Sequence, residues 1–336
     1  MSTERITLAH GAGGESMRRL IRELFREAFG SPELQPLADA ALLELDSRQA
    51  AFTTDSYTVK PIFFPGGNIG KLCIAGTVND LSVMGARPVC LSFSCIIEEG
   101  LPLAVLEQIV QSAAEEARGA GVSIVTGDTK VVARGECDEI FITTSGIGVR
   151  PFGKGLSTDG IKAGDAILIN GFIGDHGISV LAARGNLSMQ VKAESDCAPL
   201  NGLIESILTE SAGVKWMRDA TRGGLAAVLS ELAEDTPCGI MIDESSVPVR
   251  ESVQAVCELL GFDPLHIANE GKVVMVVENA EAEKILTVMK RDPLGAHAVC
   301  IGEVTEDSTG IVRLKTPVGT VRRLHRPAGE LLPRIC

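Results

Sequence analysis

Runs with strand character and runs with helix character alternate along nearly the whole chain, which confines the fold to the α/β or α+β class. In the first half, residues 50–55 (AAFTTD), 72–80 (LCIAGTVND), 91–100 (LSFSCIIEEG), 122–128 (VSIVTGD) and 139–149 (EIFITTSGIGV) read as strands. Residues 103–121 carry apolar positions at 103, 106, 109, 110, 113 and 117, the spacing of a helix. Another helix is predicted over 15–30, where Met17, Leu20, Ile21, Leu24, Phe25 and Ala28 share a face until Gly30 and Pro32 stop it. The second half repeats the alternation. Strands are expected at 166–174, 239–243, 272–278 and 298–304, helices near 177–184, 198–211, 224–234, 250–261 and 280–291, and a closing hairpin at 310–325. The polar, glycine-rich PFGKGLSTDG (151–160) reads as a joint. A chain of 336 residues exceeds what one core usually organises. The expected division is 1–150, 151–325 and a tail, 326–336, in which Pro327, Gly329 and Pro333 oppose regular structure.

Only 4% of residues are aromatic while glycines number 36, so the core is aliphatic and the turns are tight. A net charge of −13 argues against a nucleic-acid backbone or an anionic membrane as principal partner. A nucleotide stays possible, because a metal ion can mediate between carboxylates and phosphates. The strongest apolar run, VVMVV (273–277), falls far short of a membrane span, and the first residues have no signal-peptide segment. Nine cysteines without a C-x-x-C pair read as reduced thiols of a cytoplasmic protein.

Three aspartates, Asp55, Asp80 and Asp128, each close a run read as a strand. Ligands of open α/β sheets gather beyond strand ends, and three carboxylates there would repel one another unless a divalent cation such as Mg2+ joined them. Each could also merely cap a turn. HGAGG (10–14) offers backbone N–H groups at a helix start, a phosphate cradle, although neither it nor GGNIGKL (66–72) matches the two commonest nucleotide loops. Lys130, two residues after Asp128, could hold a phosphoryl oxygen or move a proton, or be a surface lysine. Glu270 in ANEGK could be a general base or a solvated turn carboxylate. GDHG (174–177) and DATRGG (219–224) both place glycines at helix starts and could enclose a ligand, and His176 could equally bond a helix end. Five histidines without ligand spacing make zinc a poor candidate. The last residue, Cys336, is an oxidisable thiol. It is not placed for prenylation, which needs a cysteine fourth from the end, so it is either incidental or a reactive group carried by the tail.

HGAGG, FTTDSY, GTVNDLSVMGARP, TGDTKVV, GDHG, DATRGGL, HIANEGK and the final PRIC, in that order over the whole chain, resemble the HypE family of hydrogenase maturation proteins. That family lies within the aminoimidazole ribonucleotide synthetase and selenophosphate synthetase superfamily. The resemblance implies an α+β, two-domain PurM-like fold. Residues 1–150 would bind ATP and dimerise through a shared β-barrel, and 326–336 would be a flexible arm. It also implies ATP-dependent dehydration of a carboxamide on Cys336 to a thiocyanate, for the cyanide ligands of nickel–iron hydrogenase. HypF would donate the carbamoyl group, and the HypC–HypD complex would accept the cyanide. The implied nucleotide contacts are Gly11, Gly13, Gly14, Asp55, Asn79, Asp80, Asp128 and Asp219. Mg2+ would sit on Asp55, Asp80 and Asp128, with Cys336, Lys130 and Glu270 catalytic. Two alternatives stand beside this. One is a synthetase of the same superfamily acting on a free substrate; the other is a carrier that leaves the ATP step to a partner.

Overall fold

The computed structural model describes residues 5–11, 15–34, 43, 45, 49–150, 156–185, 191–307, 310–326, 332 and 334–336. The first helical run is continuous from 15 to 29: α1 (Glu15–Leu20), a π-turn (Ile21–Phe25) and α2 (Arg26–Phe29). Gly30, at φ 67°, ends it in the left-handed conformation that glycine adopts most cheaply. The rest of the first half runs β1 (Ala50–Tyr57), the short pair β2 (Phe63–Phe64) and β3 (Gly67–Asn68), α3 (Ile69–Val83), β4 (Arg87–Glu98), α4 (Leu103–Ala120), β5 (Ser123–Val132) and β6 (Ile140–Val149). A four-stranded sheet has the order β1-β6-β4-β5, in which only β4 and β5 are parallel. One face is covered by α3 and α4 over an aliphatic core that includes Leu72, Ile74, Leu106, Ile109, Ile97 and Ile142.

Residues 72–80 are helical, not the expected strand. A continuous apolar run fits a buried helix and a buried strand alike. Here the Asn68 side chain decides, accepting from the amides of Gly70 (2.8 Å) and Lys71 (3.2 Å) and so starting α3 as its N-cap. Small residues then let the helix sink between its neighbours. A Cβ on Gly70 would stand 2.1 Å from the Ile109 carbonyl oxygen, and one on Gly76 2.3 Å from the Tyr57 hydroxyl.

The second half comprises β7 (Ala166–Ile169), α5 (Asp175–Ala183), α6 (Asn201–Glu210), β8 (Val214–Asp219), α7 (Gly224–Glu234), β9 (Gly239–Asp243), α8 (Glu251–Leu260), β10 (Val273–Val277), α9 (Asn279–Met289), β11 (Val299–Thr305), β12 (Val312–Lys315) and β13 (Val321–Leu324). Its seven-stranded sheet has the order β13-β12-β9-β11-β7-β10-β8. Only β9 and β12 pair in parallel, so the class is α+β. Side chains of the central strands alternate between two cores. Ile167, Ile169, Val274 and Val276 pack toward α7, and Leu168, Val273, Met275 and Val277 toward α6 and α9. Burial on both faces explains why β7 and β10 read as unbroken apolar runs.

The halves are joined by polar contacts as well as packing. Asn79, in α3, is buried and uses its whole amide across the seam. Its nitrogen donates to the carbonyls of Ala198 and Glu270 (both 3.1 Å), and its oxygen accepts from the amide of Leu200 (2.7 Å). Among the described residues no helix is long and apolar enough to cross a membrane.

Candidate functional site

A cavity of about 680 Å³ opens where the halves meet. Strand alternation turns Thr53, Asp55 and Tyr57 of β1 to the same side, facing α3, from which Asp80 projects. The Thr53 hydroxyl donates to Asp80 Oδ2 (2.7 Å), and the Tyr57 hydroxyl to Asp55 Oδ2 (3.3 Å). From the second half come Asp219, the last residue of β8, and Glu270, just before β10, its neighbour in the sheet. Cys336 completes the wall.

The electrostatics are those of crowded carboxylates. Burial, then Asp219 and, more weakly, Asp55, push Asp80 up to about 7 against the relief given by Thr53. Burial, followed by the charge of Asp55, pushes Asp219 up to about 6. Glu270 is raised well above the usual range, first by burial and then by Asp219, Asp196 and Asp55. Its Oε1 is buried and has no hydrogen-bond partner among the described residues. The peptide group is nonetheless fixed at both ends: its N–H donates to Asp196 Oδ1 (3.1 Å) and its carbonyl accepts from Asn79.

This arrangement fits a hard divalent cation in one specific way. Among the described residues no three His, Cys, Asp or Glu side chains form a group that could hold a metal ion. Mg2+ usually needs no such cage, because it keeps several waters and binds one or two carboxylates together with substrate phosphates. Mutually repelling carboxylates beside a roomy cavity suit that mode.

Not every residue expected at the site is there. Ser56, Thr143, Ser94 and Asp128 form one row across the four-stranded sheet, so Asp128 and Lys130 lie on its exposed outer face while Asp55 faces α3. Three strand spacings, roughly 14 Å, also separate β5 from β1. Within one chain Asp128 therefore does not join Asp55 and Asp80, and the third aspartate lining the cavity is Asp219. None of the three expected aspartates closes a strand: Asp55 and Asp128 lie within theirs and Asp80 is helical. Asn79 holds the seam and the Glu270 backbone, with both hydrogens of its amide nitrogen engaged there. Gly11 ends a 3-10 turn (Leu8–Gly11) ahead of α1. Gly13 and Gly14 lie outside the described residues. Arg222, within the DATRGG motif, was not singled out from sequence; it lines the cavity and opposes the rise in Glu270.

The last residues are seated in the cleft. The amides of Thr58 and Lys60 donate to the carbonyls of Cys336 (3.2 Å) and Arg334 (3.1 Å), an antiparallel continuation beyond β1. Arg334 Nε donates to the Thr58 carbonyl (2.9 Å), and its guanidinium pairs with Asp138 and covers the Phe141 ring. Ile335 is buried in the first core.

Because burial and like charges make ionised Asp80 costly, the folded state binds a proton that the unfolded chain releases near pH 4. Stability from this group is full below that pH and declines as pH rises toward 7. Without nucleotide or divalent cation, Asp80→Asn should therefore melt roughly 5 °C above the wild type at pH 8 and within about 2 °C of it at pH 4. Thermal melts at the two pH values check this, and equal gains at both would contradict the assigned repulsion.

Residues 37–150 match the family described as AIR synthase related protein, N-terminal domain, and residues 162–315 its C-terminal domain. The carbamoyl dehydratase HypE of Rhodobacter capsulatus is 49% identical over 99% of this chain and 98% of its own length. A solved structure of hydrogenase maturation protein HypE in complex with ATP superposes with a TM-score of 0.94 at 46% identity, covering 98% of this chain and 99% of that one. The structure of a HypE–HypF complex superposes with a TM-score of 0.80 at 51% identity, over 92% of this chain and 99% of that one. With this PurM-like, two-sheet architecture and near-full-length identity, the chain belongs to the HypE family of carbamoyl dehydratases, the enzymes of hydrogenase maturation.

Proposed function

We propose that this chain uses ATP to dehydrate an S-carboxamide carried on Cys336 to a thiocyanate, and so supplies the cyanide ligands of nickel–iron hydrogenase in the cytoplasm. One observation carries the reading: the seated tail puts Cys336 on the wall of the cavity that holds Glu270, Asp55, Asp80 and Asp219. A carrier that left the chemistry to a partner would have no use for that company, and a free-substrate synthetase would have no use for the thiol.

An amide oxygen leaves poorly as hydroxide and well as phosphate, and ATP, when bound, supplies the phosphoryl group. Mg2+, held by one or two of Asp55, Asp80 and Asp219 together with the phosphates, would supply positive charge that neutralises the phosphates and would lower the proton affinity of the carboxylates around it. The chain must do the rest. Becoming a nitrile costs the amide nitrogen two protons. Glu270 is suited to take one of them: it is buried, its Oε1 is unoccupied, its backbone is clamped, and its proton affinity is high. The second proton can leave with the phosphate. Arg218 and Arg222 line the cavity and can face the phosphates; Gly11, Gly13 and Gly14, which precede the first helix in sequence, would add backbone amides to the phosphate cradle.

In this reading 1–150 forms the nucleotide-binding and dimerising half, 151–325 the second half and 326–336 the arm. The four-stranded sheet supports a homodimer. Its edge strands are β1 and β5, and its outer face carries Phe52, 71% exposed, and Ile96, 44% exposed. Two such sheets closing a barrel edge to edge would bring β5, with Asp128 and Lys130, beside the β1 of the other copy. Any part those two residues take in catalysis is through that contact. The solved HypE–HypF complex supports HypF as the source of the carbamoyl group, and HypC–HypD would accept the product.

The reading is tested on the chain loaded with a carbamoyl group at Cys336 and given MgATP without partners. The mass of the C-terminal peptide should fall by one water while ADP appears. Cys336→Ala should accept no carbamoyl group and show neither change. An unaltered carboxamide would leave the carrier role.

A further inference from the structure

The GDHG motif has no part in the chemistry above, yet its histidine touches the tail. His176 is fully buried in α5. Its Nε2 stands 2.7 Å from the carbonyl oxygen of Ile335, the residue next to the reactive cysteine. Its Nδ1 stands 2.8 Å from the Ser195 hydroxyl. A carbonyl oxygen only accepts, so Nε2 carries the proton and Nδ1 of the neutral ring accepts from Ser195. The ring is also held edge-on by Phe64, with centroids 5.4 Å apart. Burial lowers the proton affinity of His176, which keeps this neutral form at ordinary pH.

The Ser195 segment leads on to the base. Ser195 Oγ accepts from the amide of Cys197 (3.1 Å), and its own amide donates to the Pro65 carbonyl (2.8 Å). Between them, Asp196 accepts from the amides of Glu270 (3.1 Å) and Gly271 (3.2 Å) and pairs with Lys272 (2.9 Å). Three consecutive residues thus orient the histidine that grips the tail and hold the backbone of Glu270.

We infer that His176 is a positioning residue for the dehydration: its Nε2–H bond to the Ile335 carbonyl seats the tail, and the 195–197 segment sets that seat in register with Glu270. This rests on the reading of Cys336 as the carrier. Sequence-independent contacts at Thr58 and Lys60 fix the tail's direction; the histidine fixes how far it enters. Ile335 is only 4% exposed, so its removal by a carboxypeptidase requires the tail to leave its seat. Such cleavage tracks the open population when reclosing is fast.

The test is carboxypeptidase digestion of the full-length chain, followed by mass spectrometry, without ATP or a carbamoyl group. His176→Phe keeps the ring and removes the donor, stranding a buried carbonyl; Ile335 should be released about tenfold faster than in the wild type, with an unchanged melting temperature. His176→Gln restores a donor near the Nε2 position and should return the rate to within about threefold of wild type. Release from His176→Phe at the wild-type rate, or no recovery in His176→Gln, would overturn the inference. If His176→Phe does not fold, Ser195→Ala removes the hydroxyl that orients the ring, together with its bond from the Cys197 amide, and should raise release about threefold, with no rise counting against the clamp. Because the assay needs no dehydration, failure here would leave the proposed function standing. Conversely, loss of dehydration would not by itself alter the digestion rates.

Discussion

Glu270→Gln is expected to slow dehydration of the carbamoylated tail about a thousandfold, within the range general-base catalysis contributes, while nucleotide binding and folding persist. Glutamine is a close mimic of the resting state. Burial, then Asp219, Asp196 and Asp55, raise the proton affinity of Glu270 and favour its uncharged form while the cavity holds no nucleotide or cation, so a neutral amide of the same shape disturbs packing and charge little. Only the capacity to accept a proton is lost. The pH profile separates this from a structural defect. Wild-type dehydration should climb with pH as Glu270 ionises, and that limb should vanish in the variant. Single-turnover rates from pH 6 to 9 provide the measurement, and a profile that keeps its slope in Glu270→Gln would assign the base elsewhere.

Asp219→Asn should lower turnover at limiting Mg2+ by on the order of a hundredfold, with part of the loss recovered as Mg2+ is raised. Asp219 is the aspartate from the second half that lines the cavity with Asp55 and Asp80, so removing it takes away a charge that, in the proposed site, would draw the cation into the cavity. The same substitution has a second signature. Asp219 is the largest charge contribution to the raised proton affinity of both Asp80 and Glu270. Without it, the pH at which the base ionises must move down, so the rising limb of the rate profile shifts toward acid even as its height falls. A lower rate with an unmoved limb would mean that Asp219 acts only through the fold.

The sequence made the second half easy to read and the site harder. Strands such as 273–277 and helices such as 224–234 announce themselves because burial on both faces of the sheet leaves unbroken apolar runs and periodic helices. The strand over Val214–Asp219 was not anticipated, since at the sheet edge its burial follows no clean alternation and it carries Lys215 and Arg218. In the first half the apolar stretch of α3 looks like a strand until one knows that Asn68 caps it. Read as the end of a strand, Asp80 groups with Asp55 and Asp128, and only the pairing register through β6 and β4 puts Asp128 on the far face. Asp219 is among the nucleotide contacts that the resemblance implies, but nothing local says that β8 will pair with β10 and bring it to Glu270. Asn79 shows the same limit. As a polar residue in an apolar run it is visibly special, yet only the fold reveals that its partners are 119 and 191 residues away. Cys336 was legible as a chemical oddity; its seat against His176 and Thr58 was not.

The central claim is that the carboxamide oxygen leaves as phosphate inside this cavity. It is tested most directly by loading Cys336 with a carbamoyl group labelled with heavy oxygen, adding MgATP, and weighing the inorganic phosphate released by a single turnover. Label recovered in phosphate, one atom for each thiocyanate formed, is the predicted result; label recovered in water, with unlabelled phosphate, would contradict it.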